Sequence, residues 1–174
     1  MSRWQRNPAA MLAEIWAALF CAAHLYWAAG GSGGLPADAR TSNASLAVDL
    51  IAIPLCLAGI LVAQGLGNAR YRATPFVLGS AAAAMMLWNT ALNYLFLAVR
   101  QLTGQPITAH DRFYALLYEP FWLIGGVLWL LAVMRYRWLR STTFTAATPS
   151  PSAVSIGVAV DLSEQPRLER VGRE

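Results

Sequence analysis

The chain has 174 residues, of which 57% are hydrophobic and 13% charged, and its formal net charge is +4. Ordinary soluble domains carry roughly 25% charged residues, so a soluble domain of this size would lack the polar surface that it needs. All 13 basic residues are arginine and lie mainly at the ends of apolar runs, which argues against nucleic-acid binding and favours a membrane protein.

Four apolar segments predict four membrane-spanning helices, at about residues 9–29, 46–66, 75–99 and 116–134. A helix rises about 1.5 Å per residue, so each segment can cross the roughly 30 Å hydrocarbon layer. No alternating strand pattern competes with this interpretation. The predicted fold class is therefore all-α, a polytopic integral membrane four-helix bundle over residues 1–140.

The first apolar segment has a second interpretation. Arg3 and Arg6 precede an alanine-rich apolar stretch, as in a cleaved signal peptide. Glu14 and His24 interrupt the stretch, and its length suits a membrane span. We favour a retained helix, and cleavage stays open as the alternative.

The second span contains Pro54, which predicts a kink because proline removes a helical hydrogen bond. After the fourth span the composition changes to Ser, Thr, Ala and Pro and then to charged residues. Such a segment lacks the apolar surface to fold alone. We therefore predict a disordered cytoplasmic tail over residues 141–174.

The distribution of arginine predicts the orientation in the membrane. One side has an excess, made up of Arg3, Arg6, Arg70, Arg72, Arg135, Arg137 and Arg140. The opposite side has only Arg40, Arg100 and Arg112. The arginine-rich side of a membrane protein faces the cytoplasm. We expect a multi-pass protein of the cell membrane with both termini cytoplasmic.

Polar residues gather at the predicted outer end of the bundle. Ionisable groups inside a membrane span are costly, which makes them candidates for function. The predicted ligand-binding residues are His24, Trp27, Asp49, Asn89, Asn93, Arg100, Tyr118 and Glu119. Helices in lipid turn costly polar groups inward, so we expect His24, Asp49, Asn93 and Glu119 to converge.

Three of these residues, His24, Asp49 and Glu119, are also candidates for acid–base chemistry. Histidine side chains titrate near neutrality, and a neighbouring carboxylate can tune them. Structural interpretations stay open beside this one. The asparagines can join helices through hydrogen bonds, and a carboxylate such as Glu119 favours the N-terminus of a helix.

No motif indicates a metal or a cofactor, and none is predicted. Cys21 and Cys56 lack the CxxC spacing of a metal or redox site and read as small apolar core residues. His24 and His110 lack a spacing such as HExxH. The glycine-rich segment Gly30–Gly34 follows a helix rather than a strand and lacks the Gly-Lys-Ser ending of a phosphate loop.

Two short stretches resemble a known family. The sequence His-Leu-Tyr-Trp-Ala-Ala-Gly-Gly at 24–31 is similar to the signature of a family of small four-span bacterial membrane proteins. Tyr118-Glu119-Pro120 resembles a later block of that family, although Glu119 departs from its small residue. The family is a domain of unknown function, so the resemblance implies fold and topology but no reaction. A fainter similarity, in residue types alone, is to intramembrane isomerases of the sterol type.

Three functional hypotheses follow. We favour a non-enzymatic bundle that binds a small molecule, an ion or a partner within the membrane. The alternatives are an intramembrane enzyme that acts on a lipid-like substrate through His24 and a carboxylate, and a small transporter component. The predicted partners are the lipid bilayer and either a second copy of the chain or another membrane protein.

Overall fold

The computed structural model describes residues 7–35, 43–68 and 73–147. Within these ranges there is no strand. The helices are α1 (Pro8–Ala28), α2 (Asn43–Leu66), α3 (Thr74–Leu102), α4 (Ala109–Phe113) and α5 (Glu119–Ala147), with a π-helical turn (Tyr114–Tyr118) between α4 and α5.

Four helical stretches in the described part are long and apolar enough to cross a membrane. They are Pro8–Ala28, Leu46–Leu66, Thr74–Leu102 and Ala109–Thr142, the last formed by α4, the π-helical turn and most of α5. The protein is therefore an all-α, multi-pass membrane bundle, which confirms the predicted fold class.

The last helix is longer than predicted. It continues past the expected end of the span at 134 and past the domain boundary at 140, because no glycine or proline occurs between Gly126 and Pro149 to stop it. The chain divides into two units, Met1–Arg140 and Ser141–Glu174. Of the second unit the structure describes only the end of α5, so most of the predicted tail lies outside the described residues.

Small residues let the spanning helices approach closely. A Cβ atom added to Gly125 would lie 2.5 Å from the ring of Trp16 on α1, and one added to Gly126 would lie 2.8 Å from the side chain of Leu87 on α3. The hydrophobic effect does not drive helices together in lipid, because the lipid chains are as apolar as the side chains. Contacts between membrane helices therefore depend on close packing of this kind. Adjacent glycines thus place α5 against both α1 and α3.

A buried asparagine joins three helices at the end of the bundle opposite His24. The side-chain oxygen of Asn7 caps α1 by accepting a hydrogen bond from the Ala10 amide at 3.2 Å. Its Nδ2 donates to the carbonyls of Leu66 on α2 at 3.1 Å and of Ala132 on α5 at 3.0 Å. One side chain therefore satisfies backbone groups of α1, α2 and α5.

Candidate functional site

A hydrogen-bonded histidine–aspartate pair lies between the first two helices. His24 occupies the last turn of α1 and Asp49 an early turn of α2, and the antiparallel course of these helices brings both to the same end. Nδ1 of His24 lies 2.7 Å from Oδ1 of Asp49. His24 is 7% exposed and Asp49 is 6% exposed, so the pair is almost inaccessible to solvent.

Two aromatic rings hold the imidazole in place. The rings of Phe20 and Trp27 meet the His24 ring edge to face, with centroid distances of 4.4 Å and 5.1 Å. Nε2 of His24 is buried and has no hydrogen-bond partner among the described residues. Leaving such a buried group unpaired costs about 1–3 kcal/mol, and native proteins contain few groups of this kind.

Residues 33–34, after α1, are hydrogen-bonded to side chains at the polar end of the site. Trp27 Nε1 donates to the carbonyl of Gly33 at 2.8 Å, and the hydroxyl of Tyr118 donates to the carbonyl of Gly34 at 2.8 Å. Gly34 has a φ of +77°, which favours glycine at this turn. These bonds connect the end of α1 with the π-helical turn.

The π-helical turn presents two stacked tyrosines. The rings of Tyr114 and Tyr118 are 4.8 Å apart and inclined by 22°. Single π-helical turns inside longer helices are rare and occur frequently at functional sites. Here the turn brings both rings to the wall of a cavity.

A cavity of about 690 Å³ lies between α1, α2, α3 and α5, with the His24–Asp49 pair in its wall. Ligand sites usually measure about 300–1,000 Å³. The aromatic residues that line it are Trp16, Phe20, Trp27, Tyr114, Tyr118, Trp122 and Trp129. The cavity is thus mainly apolar, with polar groups concentrated at one end.

The cavity has an apolar rim on two helices. The lining residues Val48, Ile51 and Leu55 on α2 are exposed, as are Leu78 and Met85 on α3. By contrast, the lining contributed by α1 and α5 is buried or half-buried. The cavity therefore opens between α2 and α3, on a face that contacts lipid chains when the bundle spans a bilayer.

The predicted site residues divide into two groups. His24, Trp27, Asp49 and Tyr118 line the cavity. Asn93 and Glu119 do not, although they contact each other: Nδ2 of Asn93 donates to Oε1 of Glu119 at 2.7 Å. The four residues expected to converge thus form two separate pairs, and Oε2 of Glu119 is buried without a hydrogen-bond partner among the described residues.

The remaining two predicted residues also lie outside the cavity lining. Arg100 donates to Oδ2 of Asp111 at 2.9 Å and to the carbonyl of Pro106 at 2.7 Å, which orders the connection before α4. Asn89 is exposed on α3. On α3 the lining extends only as far as Met86, so the C-terminal part of this helix does not reach the cavity.

The aromatic wall on α1 was not predicted from the sequence, although a signal for it exists. Trp16, Phe20, His24 and Trp27 follow one another at spacings of four, four and three, which places them on one face of a helix. Trp16 also stacks on Phe121 of α5 at 4.8 Å. An aromatic stripe that includes an ionisable residue therefore marks the cavity side of α1.

The described residues contain no group of three or more His, Cys, Asp or Glu side chains that is arranged to hold a metal ion. No protein family matches the chain, and no curated protein or solved structure is significantly similar to it. The family resemblance of residues 24–31 and 118–120 stays a prediction. Function must be inferred from the site itself.

Proposed function

We propose that this protein binds a lipid-like small molecule within the membrane. The observation that carries the proposal is the cavity of about 690 Å³, whose apolar walls lead to a buried His24–Asp49 pair. An amphiphile has the same layout, with a long apolar part and one polar end. Sites for small molecules combine apolar walls with a few placed polar groups in this way.

The position of the opening supports a ligand that arrives from the bilayer. The rim between α2 and α3 is formed by apolar side chains, with Leu55 65% and Met85 56% exposed. A molecule dissolved among lipid chains reaches such a rim without crossing water. Beside the polar end of the cavity, Leu35 contributes to the lining and Gly34 accepts a hydrogen bond from Tyr118.

A cavity-filling substitution tests this function. Ala82 lines the cavity on α3, whereas the adjacent Ala81 is exposed and does not. In Ala82→Phe the new ring occupies ligand space, so we expect the amount of co-purified lipid, read by native mass spectrometry, to fall at least about tenfold. Ala81→Phe places the same ring toward lipid and should retain the wild-type amount. Equal lipid retention in both variants contradicts the proposed site.

A second candidate function is an intramembrane acid–base reaction on the same ligand. A carboxylate bonded to one nitrogen of an imidazole orients the ring and favours proton transfer at the other nitrogen. The Asp49–His24 contact at 2.7 Å has this form. Isomeric or mass change of a bound lipid in wild type, lost in His24→Gln while lipid retention persists, would favour catalysis over binding alone.

For the location, we propose the cell membrane with both termini in the cytoplasm. The excess of arginine beside the predicted inner ends of the spans supports this orientation. In a background with Cys21→Ala and Cys56→Ala, an impermeant thiol reagent should label Ser42→Cys in intact cells. Ser150→Cys should react only after permeabilisation. Labelling of Ser150→Cys in intact cells would reverse the proposed orientation.

A further inference from the structure

We infer that the molecule bound in the cavity carries an uncharged, oxygen-bearing head group, such as an ester, ketone or alcohol. This inference rests on the proposed function and specifies its ligand class. It follows from the charges that line the cavity and from the hydrogen-bonding state of the His24–Asp49 pair.

The cavity lining offers no free charge to a head group. Among the described residues that line it, none is an arginine, and the ionisable His24 and Asp49 are bonded to each other. Arg100, at the same end of the bundle, is bonded to Asp111. Sites for phosphate or carboxylate groups in proteins use arginine or lysine, and a charge placed in apolar surroundings without a partner is costly.

The His24–Asp49 contact determines which ring nitrogen is left for a ligand. Nδ1 of His24 lies 2.7 Å from Oδ1 of Asp49, so a head group can bond only to Nε2 of the ring. Because the two side chains are bonded to each other, the pair offers no free counter-charge to a charged head group.

Nε2 lacks a partner among the described residues, and a hydrogen bond with an oxygen of the head group would satisfy it. Nε2 is covered by protein, so we expect a small rotation of a flanking ring, Phe20 or Trp27, when a head group reaches it. An ester or ketone oxygen can accept a hydrogen bond from Nε2, an alcohol can accept or donate one, and all three leave the charge of the site unchanged. A sulfonate or a quaternary ammonium group adds a buried charge for which the lining has no free partner.

The experiment compares four probes that share one dibrominated octadecyl chain and differ only in the head group. These are a methyl ester, an alcohol, a sulfonate and a trimethylammonium, and the last two are charged at every pH. Brominated chains quench tryptophan fluorescence on contact, and Trp16, Trp122 and Trp129 line the cavity. Titration of the full chain in detergent gives a half-saturation concentration for each probe, with Ala82→Phe defining the background from micelles.

We expect the ester and the alcohol to saturate at concentrations at least about tenfold lower than either charged probe. Saturable binding of a charged probe with equal or higher affinity would overturn the inference about the head group and leave the proposed function intact. If none of the four probes quenches wild type beyond the Ala82→Phe background, the proposed function itself fails. The matched variant Ala81→Phe should reproduce the wild-type order.

Discussion

Replacing Asn7 by alanine is expected to lower the free energy of unfolding by about 3 kcal/mol. Loss of an N-cap costs about 1 kcal/mol, and each lost hydrogen bond to a buried carbonyl costs about as much again. The side chain makes one capping bond and donates to Leu66 and Ala132. Unfolding in detergent, followed by circular dichroism, measures the change.

Asn7→Asp separates the two roles of this side chain. An aspartate can still accept the bond from the Ala10 amide, but it cannot donate to the carbonyls of Leu66 and Ala132. We therefore expect Asn7→Asp to be at least as destabilising as Asn7→Ala. Asn89→Ala, at an exposed position on α3, should be nearly neutral. Wild-type stability of Asn7→Asp would show that only the helix cap matters.

Substitutions in the His24–Asp49 pair are also expected to lower the free energy of unfolding strongly. Asp49→Leu should cost about 2 kcal/mol or more, since it leaves the buried imidazole without its partner. His24→Phe should cost more, since a buried carboxyl group loses the only ion-pair partner that the described residues give it. The double variant should be more stable than the sum of the two costs predicts, because both polar groups are gone.

A double-mutant cycle gives the coupling free energy of this pair, expected at about 1–3 kcal/mol. The pair of Arg100 and Asp111 is the matched control, because its 2.9 Å contact is more exposed, with side chains 20% and 17% accessible. Partly exposed ion pairs contribute about 1 kcal/mol or less. Equal coupling in the two pairs, or additive costs at His24 and Asp49, would contradict the structural role proposed for the buried pair.

Much of the fold could be predicted because lipid constrains it strongly. A membrane span needs about twenty apolar residues, and its backbone groups must form their hydrogen bonds within the helix. Hydropathy alone therefore predicts the number of spans and their helical structure. The end of α5 was less predictable. Its residues beyond the apolar segment, up to Ala147, remain helical without being apolar enough to mark a span.

The sequence predicts at which end of the bundle the polar residues lie, but not which of them contact one another. Topology brings His24, Asp49, Asn93 and Glu119 toward one end. Three of them are buried, whereas Asn93 is exposed and reaches Glu119 by a hydrogen bond. Topology alone does not say which residues become partners. The structure pairs His24 with Asp49 and Asn93 with Glu119, and only the first pair lines the cavity.

The π-helical turn at Tyr114–Tyr118 has no clear sequence signal. Its wider backbone changes the rotation of the chain just before α5, and the rings of Tyr114 and Tyr118 stack beside the cavity. A pattern of 3.6 residues per turn does not anticipate such a shift. The aromatic face of α1, in contrast, obeys that period and could have been found.

The proposed function requires that a lipid-like molecule enter the cavity through the opening between α2 and α3. Photo-crosslinking with a neutral octadecyl ester that carries a mid-chain diazirine tests it most directly, with adducts located by peptide mass spectrometry. We expect adducts concentrated on the rim and lining, at Ile51, Leu55 and Met85, and their loss in Ala82→Phe. Adducts spread evenly over exposed apolar positions such as Leu19 and Leu131, unchanged by Ala82→Phe, would contradict it.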